Sequence, residues 1–413
     1  MRKKIQLLII VFGVMLSAGC SSNPNDKEAE NRQFTMKTMA ELREEVKNLE
    51  DHYVNLNLSE TVISIPDVDE ISDVLFPITY TLEEQEEKFQ KNIRKYANLD
   101  ENMDLTPYMN MMYWDFDEND RLIIPYNEAT DEQWEQIQYL SYNDGKNSQL
   151  LVFSNYMLEM GNYELPISLT QETRDYTKDA YGYRGRDLGQ LVETYCLPQD
   201  DISGVSYTLS DGEMTLQDAV DYVEKHVKED YYFVGSEFLE YHVCKAEVRK
   251  LNDSLYYYQF NLRPSYEGVF LNNERGGITV EEENMVPIEV FGDDHKVSLF
   301  RSDQLGFVWS SCHSYERVEE QKCHTEFISL EDACTLLSNH ISKKKDLGVS
   351  SIELIYQTEF RYESQEKKDR GEIESIYCHP VYQFFVGSPS VSGLSRCYFN
   401  VDAITGEIIY VEG

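Results

Sequence analysis

Seven cysteines beyond residue 20 and eight histidines are the side chains of this chain best suited to metal chemistry, and their spacing limits what they can do. Three Cys-His dipeptides (Cys312-His313, Cys323-His324 and Cys378-His379) invite a metal reading. On a strand, however, neighbouring side chains point to opposite faces, so ligands would have to converge from separate dipeptides. Strand-facing or buried Cys and His are the default, and no metal site is expected. No C-x-x-C occurs, which removes thioredoxin-type and zinc-ribbon readings, and the odd count leaves at least one thiol free or paired between chains. Asp115-Phe116-Asp117-Glu118-Asn119-Asp120 starts like a calcium loop. It then has Asp120 where glycine is needed and Tyr126 where a bidentate glutamate belongs, so a hairpin turn is expected. H-E-x-x-H, G-x-S-x-G, the P-loop and G-x-G-x-x-G are all absent. No catalytic residue and no cofactor site is assigned, which leaves a hydrolase as the weakest of three functional classes.

Two further sets concern binding. His226 and His340 occupy matching helical positions beside apolar faces and read as helix-edge histidines. Tyr256-Tyr257-Tyr258 and the tyrosine-rich 176–183 segment could stack on sugars or peptides, although aromatic strands more often fill cores. With 41% hydrophobic and 12% aromatic residues the chain can bury a sizeable core, unlike a disordered acidic tail. A formal net charge of −38 repels nucleic acid and anionic lipid head groups, so neither is an expected partner.

The elements that would carry these residues begin with a leader. Arg2, Lys3 and Lys4 precede an apolar run, Ile5 to Leu16, that is too short to span a membrane, and Ser17-Ala18-Gly19-Cys20 closes it. The stretch resembles a bacterial lipoprotein signal, with one extra small residue between Leu16 and the Ala18-Gly19-Cys20 end. The resemblance implies cleavage before Cys20, diacylation of its thiol, and a cell-membrane lipid anchor on the extracytoplasmic face. An ordinary cleaved signal with an incidental cysteine is the plainer alternative. Residues 1–19 are then the signal peptide and residues 20–35, polar throughout, a flexible tether.

Met39, Leu42, Val46, Leu49 and Tyr53 recur at helical spacing, predicting an amphipathic helix of about four turns. Residues 36–200 read as one α+β domain. Helices are expected at Thr81–Ala97, around Trp134–Leu140 and at Asp187–Tyr195, and strands at Tyr108–Trp114, Arg121–Tyr126 and Leu150–Phe153. Beyond residue 200 the sequence repeats itself. Thr215-Leu216-Gln217-Asp218-Ala219 and Ser329-Leu330-Glu331-Asp332-Ala333, 114 residues apart, are matching helix starts. Leu216, Ala219, Val223 and Val227 form one apolar face, and Leu330, Ala333, Leu337 and Ile341 the other. Ala246-Glu247-Val248-Arg249 then matches Thr358-Glu359-Phe360-Arg361, Tyr258-Gln259-Phe260 matches Tyr382-Gln383-Phe384, and a hairpin through Gly306 or Gly406 closes each unit. The expected fold is α+β: the N-terminal domain followed by two tandem units, 205–312 and 320–413, each a helix on a small antiparallel sheet.

The second unit, through Leu330-Glu331-Asp332-Ala333, Ile352–Tyr356 and the ending Asn400-Val401-Asp402-Ala403-Ile404-Thr405-Gly406-Glu407-Ile408, resembles the PepSY group. The longer layout, with Pro380-Val381-Tyr382 entering a strand, is similar to YycH/YycI-type extracytoplasmic regulatory proteins. That resemblance covers about Glu320 to Gly413 well and Gly204 to Ser311 loosely. It implies a non-enzymatic envelope protein that binds or regulates a protein or peptide partner, with no catalytic residues to carry over. A solute- or wall-glycan-binding lipoprotein is the alternative. The anchor has a direct test. Cys20→Ala is expected to leave the precursor uncleaved and unlabelled by fatty acid. Labelling and membrane retention at the wild-type level would show that Cys20 is not the acylated residue.

Overall fold

A hydroxyl three residues ahead of a carboxylate starts each of the three α-helices described from end to end. At α1 (Met39–Glu45) the Thr38 hydroxyl accepts from the Glu41 amide and Glu41 answers with its carboxylate on the Thr38 amide. At α2 (Leu216–Asp230) Thr215 accepts from the Asp218 amide at 3.1 Å, and at α3 (Leu330–His340) Ser329 accepts from Asp332 at the same distance. Each takes up one of the first-turn amides that the helix itself leaves unbonded. The computed structural model describes residues 33–77, 99–115, 120–130, 137–142, 149–153, 157–162, 189–197, 200–230, 238–272, 279–280, 285–286, 294–313, 317–341, 347–365, 373–386 and 397–412, with positions 87, 90, 93–94 and 133. Cys20, the signal, nearly all of the tether and the 176–183 tyrosines lie outside these.

The strands that position the site are, in chain order, β1 (Val62–Ser64), β2 (Ile71–Pro77), β3 (Glu240–Asn252), β4 (Leu255–Tyr266), β5 (Asp294–Arg301) and β6 (Gln304–His313). They continue with β7 (Glu319–His324), β8 (Leu347–Arg361), β9 (Ser375–Val386), β10 (Cys397–Asp402) and β11 (Ile408–Glu412). An eleven-stranded sheet runs from Gln190–Cys196 through β3, β4, β5 and β6, then on through Met157–Asn162, Gln149–Phe153, Ile137–Tyr142, Met109–Asp115 and Asp120–Pro125, with Val269–Phe270 paired to β4. A nine-stranded sheet has β8, β9, β10 and β11 in order. His52–Tyr53 and Leu56–Asn57 lead into β8, β1 pairs with β8 in parallel, and β2 lies between β7 and β9.

The expected α+β class is therefore wrong. Strands dominate the described residues, and the helices, of 7, 15 and 11 residues, lie on large sheets rather than forming small helix-on-sheet units. The reason is non-local pairing. Both sheets recruit strands from residues 52–162, and β2 pairs with partners some 250 to 300 residues away. Local periodicity carries no record of such pairings. Two expected helices are strands for local reasons as well. Within the strand Ile137–Tyr142, Leu140 and Tyr142 are buried and Ser141 between them is not. Residues 190–196 follow Gly189, whose φ of +73 turns the chain so close to β3 that a Cβ there would clash with the Lys250 carbonyl oxygen. The four-turn helix at 39–53 ends at Glu45 and passes through a short 3-10 turn into the strand His52–Tyr53.

Register carries the repeat further than sequence did. Tyr258, Gln259 and Phe260 on β4 face Leu299, Ser298 and Val297 on β5; Tyr382, Gln383 and Phe384 on β9 face Val401, Asn400 and Phe399 on β10. On the other side Val248 faces Tyr258 and Leu354 faces Tyr382. This shifts the partner of Ala246–Arg249 to Ile352–Ile355, six residues before the expected Thr358–Arg361. Each central tyrosine donates to the carbonyl just ahead of its helix cap: Tyr258 to Met214 at 2.7 Å and Tyr382 to Ile328 at 2.6 Å. Helix and sheet are thus fixed to each other by the same bond twice, over apolar faces in which Leu216, Val223, Leu330 and Leu337 are fully buried.

N-terminal residues also cap α3. Glu45 at the end of α1 accepts from the amides of Leu330 and Glu331, while Asn55 donates to the carbonyls of Ser338 and Ile341. Both ends of the helix are satisfied by residues some 285 positions upstream. Tyr382→Phe leaves the buried Ile328 carbonyl without its donor and should destabilise the fold by about 1–2 kcal/mol. Tyr256→Phe should stay within about 0.5 kcal/mol. Urea unfolding of the two variants with unchanged m-value measures this. An unshifted midpoint for Tyr382→Phe would mean that the bond does not hold the helix.

Candidate functional site

A cleft of about 650 Å³ opens where the two sheets meet. One wall is α2, whose Gln217, Val220 and Glu224 recur at spacings of three and four and so share a face. Leu197 and Asp200–Ser203, between the edge strand Gln190–Cys196 and α2, form the rim. The opposite wall is His242–Cys244 on β3 with Arg263 and Phe270, and Glu353 and Ser64 come from the other sheet. The side chains of this cleft are held in place. Glu224 accepts from the Val243 amide at 2.8 Å, Asp200 from the Cys196 amide at 2.7 Å, and Asp201 from the Ser203 amide at 2.9 Å. Hydrogen bonds from Ser203 hold the Asp201 carboxyl below the ordinary aspartate range. Arg263 is 7% exposed and makes the floor: Nε donates to the Leu271 carbonyl at 2.9 Å and Nη1 meets Glu353 at 2.5 Å. Its guanidinium also lies 4.9 Å from the Phe270 ring centre, with His242 edge-on to that ring at 5.5 Å.

A second polar cluster occupies the nine-stranded sheet near its closing hairpin. His379 on β9 lies between Asp402, 3.1 Å from Nδ1, and Glu359, 3.2 Å from Nε2. Gln357 donates to Glu359 at 2.6 Å and Asn400 to Gln357 at 2.7 Å, so one hydrogen-bonded chain crosses three strands. Tyr377 stacks on His379 at 5.5 Å, donates to Asp73, and carries the Arg361 guanidinium 3.8 Å above its ring. Asp73 in turn meets His324 at 3.1 Å. Burial by itself would lower the His379 pKa, but the bonds and charges of Asp402 and Glu359 outweigh it and raise the value to about 9. Burial likewise works against the charge of Asp402 and Glu359, and the His379 imidazolium with neighbouring donors outweighs it, so both are held below their ordinary range.

The residues singled out in the sequence scatter. His324 and His379 are held by carboxylates, Cys323 is exposed and Cys378 buried, and Cys312-His313 ends β6. Among the described residues no group of three or more His, Cys, Asp or Glu is arranged to hold a metal ion. Asp115 and Asp120 face each other across a hairpin. His226 stacks on Tyr222 at 4.1 Å with Nδ1 2.8 Å from that residue's carbonyl, and His340 is exposed in the last turn of α3. Tyr257 and Tyr258 are core residues, with Tyr257 stacked on Phe300 at 4.5 Å. Sequence reasoning missed Arg263, Glu224 and Asp200–Asp201. Nothing marks them locally, because only the tertiary fold brings them together.

No family model matches the chain, and no curated protein matches it. Among solved structures it is similar to a crystal structure of an uncharacterized protein from Eubacterium rectale, at 13% identity and a TM-score of 0.43, covering 87% of this chain and 91% of that one.

The His379 cluster predicts a pH profile for stability. Because the folded pKa lies above the unfolded value of 6.5, the histidine's contribution is complete below about pH 6.5 and is lost as pH rises through about 9. The two carboxylates contribute above their unfolded pKa values and lose that contribution on acidification. Denaturation midpoints should therefore peak between about pH 5 and 7 and fall toward pH 10. His379→Gln should cost about 3 kcal/mol at pH 6, since it leaves two partly buried carboxylates without their cation, and should flatten the alkaline fall. An alkaline limb as steep in the variant as in the wild type would assign the effect to another group.

Proposed function

We propose that this chain is a non-enzymatic, lipid-anchored envelope protein that binds a peptide segment of a protein partner in the cleft between its two sheets. The observation that carries the reading is the cleft itself. It is a concave site of ordinary ligand-pocket size, lined by apolar side chains interspersed with charged and polar ones, several of them fixed by backbone hydrogen bonds. The leader ending in Ala18-Gly19-Cys20 supports an extracytoplasmic lipid anchor on Cys20. The PepSY-like ending supports a regulatory partner over a substrate. A free solute or wall glycan as occupant is the competing reading, and the core placement of Tyr257 and Tyr258 takes away one aromatic platform proposed for it.

Photo-crosslinking in cells separates the two. A benzoylphenylalanine at Gln217, inside the cleft, should yield a discrete protein adduct, whereas the same probe at Ile123, 63% exposed on a strand of the other end of the large sheet, should not. Identical patterns at both positions, or none at Gln217, would remove the cleft as the partner site.

A further inference from the structure

We propose that the segment taken by the cleft carries a lysine or arginine side chain, whose cation is held by Asp200, Asp201 and Glu224 while a backbone carbonyl of the same segment accepts from Arg263. The inference rests on the cleft being the binding site and adds the chemistry of its occupant.

Two observations point the same way. Among the described residues the cleft's charges do not balance: four carboxylates line it with one guanidinium, which Glu353 already neutralises at 2.5 Å. That leaves the rim pair Asp200 and Asp201 and the helix residue Glu224, each oriented through an oxygen that accepts a backbone amide. Leu197, Ile202 and Val220 lie among them and offer an apolar channel for the methylene stem of a long basic side chain. Independently, Arg263 is only 7% exposed, and its Nη2 is a buried donor with no acceptor among the described residues. A buried N–H of this kind costs on the order of a lost hydrogen bond unless an acceptor reaches it. A neutral glycan supplies acceptors without a cation, and a simple alkylamine supplies a cation without an acceptor. A basic peptide supplies both. The surrounding net charge of −38 would also speed the approach of such a peptide.

The test uses the full chain purified in detergent and fluorescein-labelled acetyl-Ala-Lys-Ala-Lys-Ala-amide, read by fluorescence anisotropy. Comparison probes are the same peptide with both lysines acetylated and a tetramer of N-acetylglucosamine. The lysine peptide should bind at least about tenfold tighter than the acetylated one and weaken with salt. Asp200→Asn with Asp201→Asn should remove most of that difference. Circular dichroism checks folding, and these two sites are exposed on the rim, so the variant is expected to fold. Arg263→Lys should weaken both peptides alike, because it loses the fork of donors but not the charge. Equal binding of the two peptides, unchanged by the aspartate variant, would overturn the cation assignment while a Gln217 adduct still stood. Tighter binding of the sugar than of either peptide, without that adduct, would overturn the peptide reading itself.

Discussion

The ion pair between Arg263 and Glu353 is the joint on which the site depends, because it ties a strand of one sheet to a strand of the other. Both side chains are largely out of water, so separating them would leave an uncompensated charge, which in proteins is strongly destabilising. The pair does not act alone. The Leu271 carbonyl that Arg263 holds belongs to a residue bridged in parallel to Tyr356 on β8, and the next amide, of Asn272, donates to the Tyr356 carbonyl at 2.8 Å. The Asn272 carboxamide then meets Gln383 at 3.3 Å and Tyr398 at 3.4 Å. A polar seam of this kind is less forgiving than an apolar one. Each donor needs a particular acceptor, so the sheets have one docking geometry and the cleft beside them one shape.

The seam also explains why a chain so rich in aromatic side chains buries so many amides. Gln357, Gln383 and Asn400 are fully buried in the nine-stranded sheet, on the strands that carry Glu359, His379 and Asp402. Gln357 satisfies Glu359 and is satisfied by Asn400, and that chain ends in the imidazolium. Asp402 has a second duty: its other carboxylate oxygen accepts from Ile404 and Thr405 in the turn that Gly406, at φ +76, completes. The charge of His379 is thereby coupled to the closing hairpin, where backbone geometry and electrostatics share one carboxylate.

What was legible in the sequence is what local chemistry dictates. Thr215 and Ser329 announced their helices, the apolar spacings gave the buried faces, and Gly406 marked the last hairpin, where its φ is +76. The rest was hidden for the same reason. A Glu45 that caps a helix 285 residues later looks like any helical glutamate, and a β2 that slots between β7 and β9 looks like any short strand. The α+β expectation failed there, since matching caps predict helices but say nothing about how many strands lie beneath them. The cleft was illegible too. Its residues come from six separate stretches, and the motif search singled out none of them as a site.

A repeated register acquired a singular role at one position. Glu247 and Glu353 stand opposite the central glutamines Gln259 and Gln383, in the same place in the two strand sets. Glu247 is satisfied within its own strand, by Lys245 at 2.6 Å and Arg249 at 2.7 Å. The residues at the same offsets from Glu353 are Ser351 and Ile355, neither of which carries a charge, and Glu353 takes its cation from the other sheet. A carboxylate buried to that degree must find a cation or be neutralised. Where its own strand supplies none, the requirement is met by docking, and the same requirement that joins the sheets commits Arg263 to the cleft floor.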